Sequence, residues 1–307
     1  MSKKYFIVSD IHSFYIELKE ALFKAGFRKT NNNHYLIVCG DVFDRGPDTM
    51  AVYKFLSSIP KKRCILIKGN HEQLFKELMT KTYPQSHDFS NHTVDTFCQI
   101  ACRDIGELHC GDVSWGEIVD YVASSKIWKW LNSKQWVDYY ELDKYIFVHS
   151  FIPINVKREY IRALYMYAPW QLSSKCFEYD PNWRKASREY WEDARWGDPI
   201  ERYQGGLFTP EAEKGKILVV GHWHVSDFWR RISNIRNYDK PITGIWKGKS
   251  LIALDSGVFY DGYGCYVHPQ NVLVIDSSDF NTCYDKDGDI IKEHEEIPVI
   301  ETVTEGE

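Results

Sequence analysis

The chain lacks several features that would assign it to a protein class at once. No apolar run in its 307 residues approaches the length of a membrane span, and the segment after Met1 has no signal-peptide pattern. Its 8 cysteines are irregularly spaced and several lie inside apolar runs, which indicates reduced core residues and not a disulfide framework. There is no internal repeat, Walker-type phosphate loop, nucleophile elbow or Rossmann fingerprint. These absences predict a cytoplasmic protein without a membrane partner.

Strong charge of one sign is also missing. The net charge of -5 gives no global attraction to nucleic acid, so stable nucleic-acid binding is not expected. Aromatic residues are abundant, with 11 Trp, 20 Tyr and 16 Phe. They favour an aromatic-lined cleft or cap in addition to the core, although core packing is the commoner role of any single ring. The composition does not indicate an oligomeric state.

Five short, apolar, largely β-branched runs recur along the chain, at residues 5–8, 35–39, 64–67, 145–148 and 217–220. Each is too short for a helix and has the composition of a buried strand. Between the first three runs, apolar residues recur at helical spacing, with helix boundaries marked by Gly26, Pro47 and Pro60. This alternation predicts parallel strands joined by helical crossovers over roughly the first eighty residues.

The chain is predicted to form one catalytic domain, residues 1–292, followed by an acidic tail at 293–307. Two insertions are expected inside the domain, a helical one at about 83–135 and an aromatic-rich one at about 160–203. Apolar runs at 250–254 and 272–275 predict further strands in a second sheet packed on the first. The predicted fold class is α/β, with two packed mixed β-sheets flanked by helices.

Each of the five runs is followed directly by polar residues. Ligands of open α/β sheets bind beyond the carboxyl ends of the strands, so these residues are expected to be neighbours in space. Their carboxylates, imidazoles and amide suit manganese, iron or zinc better than calcium or magnesium. The candidate metal ligands are Asp10, His12, Asp41, Asn70, His149, His222 and His224. Asp41, which follows Gly40 in a tight turn, could bridge two cations about 3.5 to 4 Å apart. The pattern predicts a metal-dependent hydrolase.

These motifs resemble the metallophosphoesterase superfamily, in particular its phosphoprotein phosphatase-like branch of bacterial or phage type. The segments 40–46 and 69–72 carry the resemblance, which extends over the motifs from Asp10 to His224 but not over the insertions or the tail. It implies the four-layer calcineurin-like fold and two bound metal ions (Mn, Fe or Zn). It also implies hydrolysis of phosphate monoesters, in the manner of a Ser/Thr protein phosphatase, by a hydroxide that bridges the metals.

The resemblance further implies how the ligands divide between the two metals. One metal would be held by Asp10, His12 and Asp41, and the other by Asp41, Asn70, His149 and His222. Asp41 would therefore be the bridging carboxylate.

Catalytic roles follow from the same resemblance. His71 would donate a proton to the leaving alkoxide and would be held by Asp44, while Arg45 would bind the phosphate together with Asn70. A second phosphate-binding arginine is usual in this branch, and Arg195 is its best match. The alternative for Arg195 is a surface arginine paired with Glu192 or Asp193.

The sequence also departs from the branch. Ser9, Ser13 and Ser150 occupy positions that are normally glycine, and His224 belongs to the Gly-His-x-His motif of the wider superfamily, where the second His ligates the first metal. These departures weaken the assignment of protein substrates.

Phosphomonoesters are the preferred substrates, either a phosphorylated protein or a small phosphoester. The alternative is a dinucleoside polyphosphate hydrolase of the diadenosine tetraphosphate type, or a phosphodiesterase. A catalytically silent metal-binding scaffold is the alternative from another class, but such a protein should have lost ligands or the acid, and Asp44, Arg45 and His71 are all present.

Overall fold

The computed structural model describes residues 2–165, 167, 169, 172–235, 242–260, 266–294 and 296. The predicted tail at 293–307 lies outside the described residues except for positions 293, 294 and 296. No helix within the described ranges is long and apolar enough to cross a bilayer.

The described strands are β1 (Lys4–Val8), β2 (His34–Cys39), β3 (Cys64–Ile67), β4 (Trp136–Val137), β5 (Tyr140–Leu142), β6 (Tyr145–Phe147), β7 (Ile154–Val156), β8 (Phe177–Tyr179), β9 (Ile217–Val220), β10 (Trp246–Lys247), β11 (Leu251–Ala253), β12 (Phe259–Tyr260), β13 (Tyr266–Val267), β14 (Leu273–Asp276) and β15 (Asp279–Tyr284).

The described α-helices are α1 (Tyr15–Lys24), α2 (Thr49–Ser57), α3 (Asn70–Leu78), α4 (Ser86–Ser90), α5 (Thr93–Ala101), α6 (Ile105–Cys110), α7 (Trp115–Ser124), α8 (Lys126–Leu131), α9 (Arg188–Ala194), α10 (Pro199–Gln204) and α11 (Val225–Arg231). Short 3-10 helices lie at Lys61–Arg63, Arg158–Tyr165, Ser174–Cys176 and Trp183–Lys185.

Two mixed sheets form the centre of the fold. The first has the order β15-β14-β1-β2-β3-β4, in which β1 to β4 are parallel and β14 and β15 are antiparallel additions. The second has the order β10-β11-β9-β6-β5, with a parallel centre of β6, β9 and β11. The parallel strands and crossovers predicted for the first eighty residues are therefore confirmed.

Alternation along the strands divides the core into three layers. On β1, Tyr5 and Ile7 face the second sheet, whereas Phe6 and Val8 face the layer of helices α1 to α8. The second sheet repeats the arrangement and turns its other face to α9, α10 and α11. Because both faces of both sheets are covered, the fold has four layers, helix, sheet, sheet and helix, as predicted.

One strand prediction was wrong. The run at 272–275 forms β14 in the first sheet, antiparallel to β1, whereas the run at 250–254 forms β11 in the second. Both sheets bury both faces, so an apolar run carries no signal that would distinguish between them.

The two predicted insertions differ in character. Residues 83–135 contain the five helices α4 to α8. The described part of 160–203 holds β8, α9 and α10, and its Trp183 and Trp191 are buried in the core, 0% and 4% exposed. The core role is therefore the correct one for these two rings. Trp196 is partly exposed, and its ring lies 6.5 Å from the ring of His222.

Candidate active site

The carboxyl ends of the five predicted strands meet at one edge of the two sheets. β1, β2 and β3 bring Asp10, Asp41 and Asn70 from the first sheet, while β6 and β9 bring His149 and His222 from the second. The loops are tied to one another, since the Asp10 amide donates to the Gly40 carbonyl (3.1 Å) and the His12 amide to the Asp41 carbonyl (2.9 Å). The neighbourhood predicted for these strand ends is therefore present.

The backbone at this edge is strained. A left-handed conformation costs a non-glycine residue roughly 1 kcal/mol or more, and such residues gather at functional sites. Residues with positive φ here are Asp10 (49°), His12 (47°), Ser13 (61°), Asp41 (51°), Asp44 (74°), Arg45 (65°) and His222 (68°). The positive φ of Ser13 explains why glycine is usual at that position.

The Asp41 carboxylate lies at the centre of a cluster of imidazoles. Its Oδ2 is 3.4 Å from Nε2 of His149, 3.8 Å from Nε2 of His12 and 3.9 Å from Nε2 of His71. Two groups of potential ligand atoms share Asp41, namely His12, Asp41 and His71 on one side and Asp41, His149 and His222 on the other. A carboxylate placed between two donor groups is the arrangement that a bridging ligand requires.

Two of these imidazoles have a fixed orientation. Nδ1 of His12 lies 3.0 Å from the Phe43 carbonyl, and Nδ1 of His149 lies 2.9 Å from the Cys39 carbonyl. A carbonyl only accepts hydrogen bonds, so each Nδ1 carries a proton, and Nε2 is the atom that a neutral ring would offer to a metal. Nε2 of His149 also lies 2.7 Å from Oδ1 of Asn70, which places the amide oxygen beside the same group.

Burial sets the charge of these side chains. It lowers the pKa of His12 and of His222 well below the ordinary value, with the Arg45 charge adding to the effect on His12. It also lowers the pKa of His149. Although burial alone would raise the pKa of Asp41, the imidazoles of His149, His71 and His222 hold it below its ordinary value. Neutral imidazoles around an ionised carboxylate are the donor state that binds a transition metal, so this set fits the group that the sequence predicted.

Asp10 lies next to the turn that carries His222. Its Oδ1 and Oδ2 accept hydrogen bonds from the His222 amide at 3.1 and 3.0 Å. A Cβ at Gly221 would stand 2.1 Å from Asp10 Oδ2, so only glycine fits there. Burial, together with the carboxylates of Asp255 and Asp41, raises the pKa of Asp10 well above its ordinary value, and a cation would relieve this repulsion.

His71 and Asp44 form a buried pair. Nδ1 of His71 lies 2.6 Å from Oδ2 of Asp44. The hydroxyl of Thr93 donates to Asp44 Oδ2 (2.8 Å) and that of Thr96 to Oδ1 (2.7 Å). Burial lowers the pKa of His71, but the carboxylates of Asp41 and Asp44 outweigh it and raise the pKa above its ordinary value. A proton-bearing imidazole is thus favoured at this position.

Arg45 reaches across the site from the β2 loop. Its Nη1 is 2.9 Å from Nε2 of His12, and its Nη2 is 3.3 Å from Nε2 of His71. The guanidinium is partly exposed, so it is accessible to an anion at the edge of the metal cluster.

Glu72 fixes the loops from below. Its carboxylate accepts hydrogen bonds from the amides of Gly69 (2.7 Å), Asp41 (3.0 Å) and Val42 (2.9 Å). Burial and the nearby Asp41 charge raise the pKa of Glu72 to about 7. Glu72 thereby ties the start of α3 to the turn that carries the central carboxylate.

Asp10 and His224, both predicted as metal ligands, lie outside the two groups of His and Asp ligand atoms that the described residues form, whereas His71, not predicted as a ligand, belongs to one of them. Arg195 is buried, and its Nη2 contacts Oδ1 of Asp138, which also accepts from Lys68 at 3.0 Å; it is not paired with Glu192 or Asp193. Nε2 of His224 lies 4.0 Å from Oδ2 of Asp255, and the His224 side chain is 40% exposed. Metal ligation by His224 stays a prediction.

Several residues that contact the predicted site residues could not be identified from the sequence. Thr93 and Thr96 lie on α5, far along the chain from Asp44, and Asp255 follows β11. Glu72 was recognised only as part of its motif. The hydroxyls of Ser13 and Ser150 both form hydrogen bonds. Ser13 bonds with the Thr49 hydroxyl at 2.9 Å, and Ser150 donates to the Gly197 carbonyl at 2.5 Å.

The four-layer fold places carboxylates and imidazoles that could hold metal ions at one edge of its two sheets. The chain belongs to the calcineurin-like phosphoesterase family, whose sequence model matches residues 3–226.

Individual relatives match shorter segments. Over 97 residues the chain is 31% identical to the asymmetrical bis(5'-nucleosyl)-tetraphosphatase PrpE of Oceanobacillus iheyensis, a match covering 29% of this chain and 39% of that protein. Over 67 residues it is 39% identical to the symmetrical bis(5'-nucleosyl)-tetraphosphatase of Buchnera aphidicola, covering 22% of this chain and 23% of that one. The matches thus span well under half of the length of either relative.

Among solved structures, the chain resembles the cold-active protein-tyrosine phosphatase of a psychrophilic Shewanella species. The TM-score is 0.50 at 17% identity, over 94% of this chain and 80% of the other. At this identity the similarity concerns the fold.

Proposed function

We propose that residues 1–292 form one catalytic unit that hydrolyses dinucleoside polyphosphates with two divalent transition metals. The observation that carries the chemistry is the position of the Asp41 carboxylate, shared between two groups of imidazoles and 3.9 Å from Nε2 of His71. The substrate class is supported by the bis(5'-nucleosyl)-tetraphosphatases that the chain resembles.

We assign the ligands to the two metals as the family resemblance implies. Asp10, His12 and Asp41 would hold one, and Asp41, Asn70, His149 and His222 the other, with His224 as a further candidate for the first. Manganese, iron and zinc all suit this mixture of oxygen and imidazole nitrogen. When bound, the cations would lower the pKa of a water molecule so that it supplies a hydroxide nucleophile at neutral pH, and they would neutralise charge on the phosphoryl group.

Arg45 is the phosphate-binding group in this proposal. Its guanidinium stands between Nε2 of His12 and Nε2 of His71, at the edge of the site. A phosphoryl group entering there would accept two parallel N–H bonds from it, which orients the phosphorus toward the metal ligands. Asn70 and Arg195 are additional phosphate-binding candidates.

His71 is the general acid in this proposal. With Nδ1 held by Asp44, the proton available for transfer is carried on Nε2, which lies 3.9 Å from Asp41 Oδ2 and 3.3 Å from Arg45 Nη2. Transfer of this proton to the leaving oxygen would complete the cleavage, and the two threonines keep Asp44 from rotating away.

Phosphomonoesters are the second candidate substrates. The observation that favours them is the same acid pair, because an alkoxide leaving group depends on protonation more strongly than a nucleotide phosphate does.

A substrate panel with added manganese tests both candidates. We expect turnover of diadenosine tetraphosphate, with a kcat/KM at least about tenfold above that for an aryl phosphate or a phosphopeptide. Activity on phosphopeptides without activity on diadenosine tetraphosphate would reverse the order of the two candidates.

A further inference from the structure

A cavity of about 450 Å³ begins at the metal-ligand loop and runs along one face of α3. Along α3 and at its two ends the lining residues are Gly69, Glu72, Gln73, Lys76, Glu77 and Thr80, which recur at the three- and four-residue spacing of one helix face. Lys76 lies six residues after Asn70, about 9 Å along the helix axis at 1.5 Å per residue. The cavity therefore leads away from the proposed ligand Asn70.

The opposite wall comes from α9 and the residue that follows it. Arg188, Glu192 and Arg195 line the cavity there, and Lys68 lines it next to Gly69. This one space is lined by four cationic side chains (Lys68, Lys76, Arg188 and Arg195) and three carboxylates (Glu72, Glu77 and Glu192).

The carboxylates that line this space already have hydrogen-bond or ion-pair partners in the protein. Glu72 accepts three backbone amides, Glu192 pairs with Arg188 at 2.6 Å, and Glu77 accepts a hydrogen bond from Gln73 at 3.0 Å. Asp138 is the carboxylate that pairs with both Lys68 and Arg195 among the described residues.

Two cationic groups are left incompletely paired. Lys76 makes no ion pair or hydrogen bond with its side chain among the residues that the structure describes, and it is surrounded by Lys68, Arg188 and Arg195. Arg195 is 6% exposed, yet its Nε has no hydrogen-bond partner in the described part of the chain. Burial lowers the pKa of Lys76, and the charges of Lys68, Arg188 and Arg195 lower it further, although the Glu72 carboxylate acts in the opposite direction. An anion entering the cavity would relieve both conditions.

We propose that this cavity is a subsite for the polyphosphate chain of the substrate, beyond the phosphoryl group that reacts at the metal ligands. The inference rests on the proposed function and deepens it. A polyphosphate presents anionic oxygens at every phosphorus and needs no backbone partners, which matches a cavity that receives cationic side chains from both of its walls. A volume of about 450 Å³ lies in the range of small-ligand sites, so an acidic peptide is the less suitable occupant.

The test compares kinetics on a long and a short substrate with the full-length, manganese-loaded enzyme. For Lys76→Gln we expect the KM for diadenosine tetraphosphate to rise about fivefold, and for Lys76→Gln with Arg188→Gln to rise further, because each change removes a charge-assisted contact. The KM and kcat for an aryl phosphate, which is too short to reach Lys76, should stay within about twofold. The matched control is Lys54→Gln, an exposed lysine on α2, which should change neither substrate.

Three outcomes would overturn the proposal. Equal changes for both substrates would mean a structural role for Lys76, and no change for either would mean no role in binding. A raised KM for an acidic phosphopeptide alone would assign the cavity to peptides.

A binding measurement separates this proposal from the proposed function. Calorimetry of metal-free protein with tripolyphosphate should show binding to the wild type that is weakened about fivefold or more in Lys76→Gln and unchanged in Lys54→Gln. If the wild type bound tripolyphosphate but hydrolysed no polyphosphate ester, the proposed function would fail and the subsite would stand. If it did not bind tripolyphosphate, the subsite would fail whatever the activity.

Discussion

Nδ1 of His71 lies 2.6 Å from Oδ2 of Asp44, and both side chains are at most 2% exposed. Both oxygens of Asp44 accept a hydrogen bond from α5, Oδ2 from Thr93 and Oδ1 from Thr96. The aspartate therefore has one orientation, and it imposes one orientation on the imidazole. The pair links the β2 loop, the start of α3 and the helical insertion, so the proposed acid is built from three separate parts of the chain.

Replacing His71 by Asn should separate catalysis from metal binding. In the proposed mechanism His71 transfers a proton but does not hold a metal, so H71N should retain the metal content of the wild type. Loss of a general acid typically costs about 10² to 10⁴ in rate, and the loss should be largest for substrates with poor leaving groups. Steady-state kinetics on an alkyl and an activated aryl phosphate, with metal analysis of the same samples, measure this. Full activity of H71N on the alkyl phosphate would show that another group is the acid.

Replacing Asp41 by Asn should remove both metals and nearly all activity. The shared carboxylate lies 3.4 to 3.9 Å from three imidazole nitrogens, and an amide would present them with at most one neutral oxygen. Metal analysis after gel filtration should find less than half of the wild-type content in D41N. As a control, Asp112→Asn changes an exposed carboxylate before α7 and should leave metal content and turnover unchanged. A D41N protein that kept two metals would exclude Asp41 as the bridge.

Much of the fold and of the site could be predicted because its signals are local. A short β-branched run followed by Asp, His or Asn marks a strand and its polar end within ten residues, and β1, β2, β3, β6 and β9 all carry this pattern. The strand ends meet because parallel strands place their carboxyl ends at the same edge.

The remainder depends on partners that are distant in sequence. Thr93 and Thr96 hold Asp44 from about fifty positions away, and nothing around them in the sequence distinguishes them from ordinary helix threonines. The sequence predicts that Arg195 binds phosphate or pairs with Glu192 or Asp193, but its partner Asp138 lies in another segment. Side-chain pairing of this kind is decided by tertiary packing and leaves no periodic pattern.

A methyl group at Gly221 should disturb the site without unfolding the protein. The Cβ of Gly221→Ala would stand 2.1 Å from Oδ2 of Asp10 and 2.6 Å from Cβ of Ser9, so the carboxylate must move. Displacing a ligand by about 1 Å is expected to reduce kcat/KM about 10²-fold. Kinetics at saturating and limiting manganese should show that part of the loss is weaker metal binding.

Gly244→Ala provides the matched control for this change. A Cβ at position 244 would have no atom of the described residues within 4 Å, and the φ of Gly244 is not positive, so the same substitution should be neutral there. If Gly221→Ala were as active as Gly244→Ala, Asp10 would not need its observed position.

The pH dependence of stability should report on Glu213, which lies away from the metal ligands. Its side chain is 3% exposed and accepts hydrogen bonds from Trp183 Nε1 (2.6 Å), the Tyr179 hydroxyl (2.6 Å) and Arg184 Nη2 (2.8 Å). Burial alone raises the pKa of Glu213, but these donors outweigh it and hold the pKa below its ordinary value. A carboxylate with a depressed folded-state pKa stabilises the fold above its unfolded pKa, and this stabilisation is lost as the pH falls through the folded value.

Glu213→Gln should therefore lower the free energy of unfolding by about 1 to 3 kcal/mol at pH 7, and the difference from wild type should shrink as the pH falls below about 4.5. Urea denaturation between pH 7 and pH 3, in the presence of a chelator that removes metal, measures this without a contribution from metal release. Substitution of the exposed Glu178 by Gln serves as the control. A difference between wild type and Glu213→Gln that stays constant over the whole range would show that ionisation of Glu213 does not stabilise the fold.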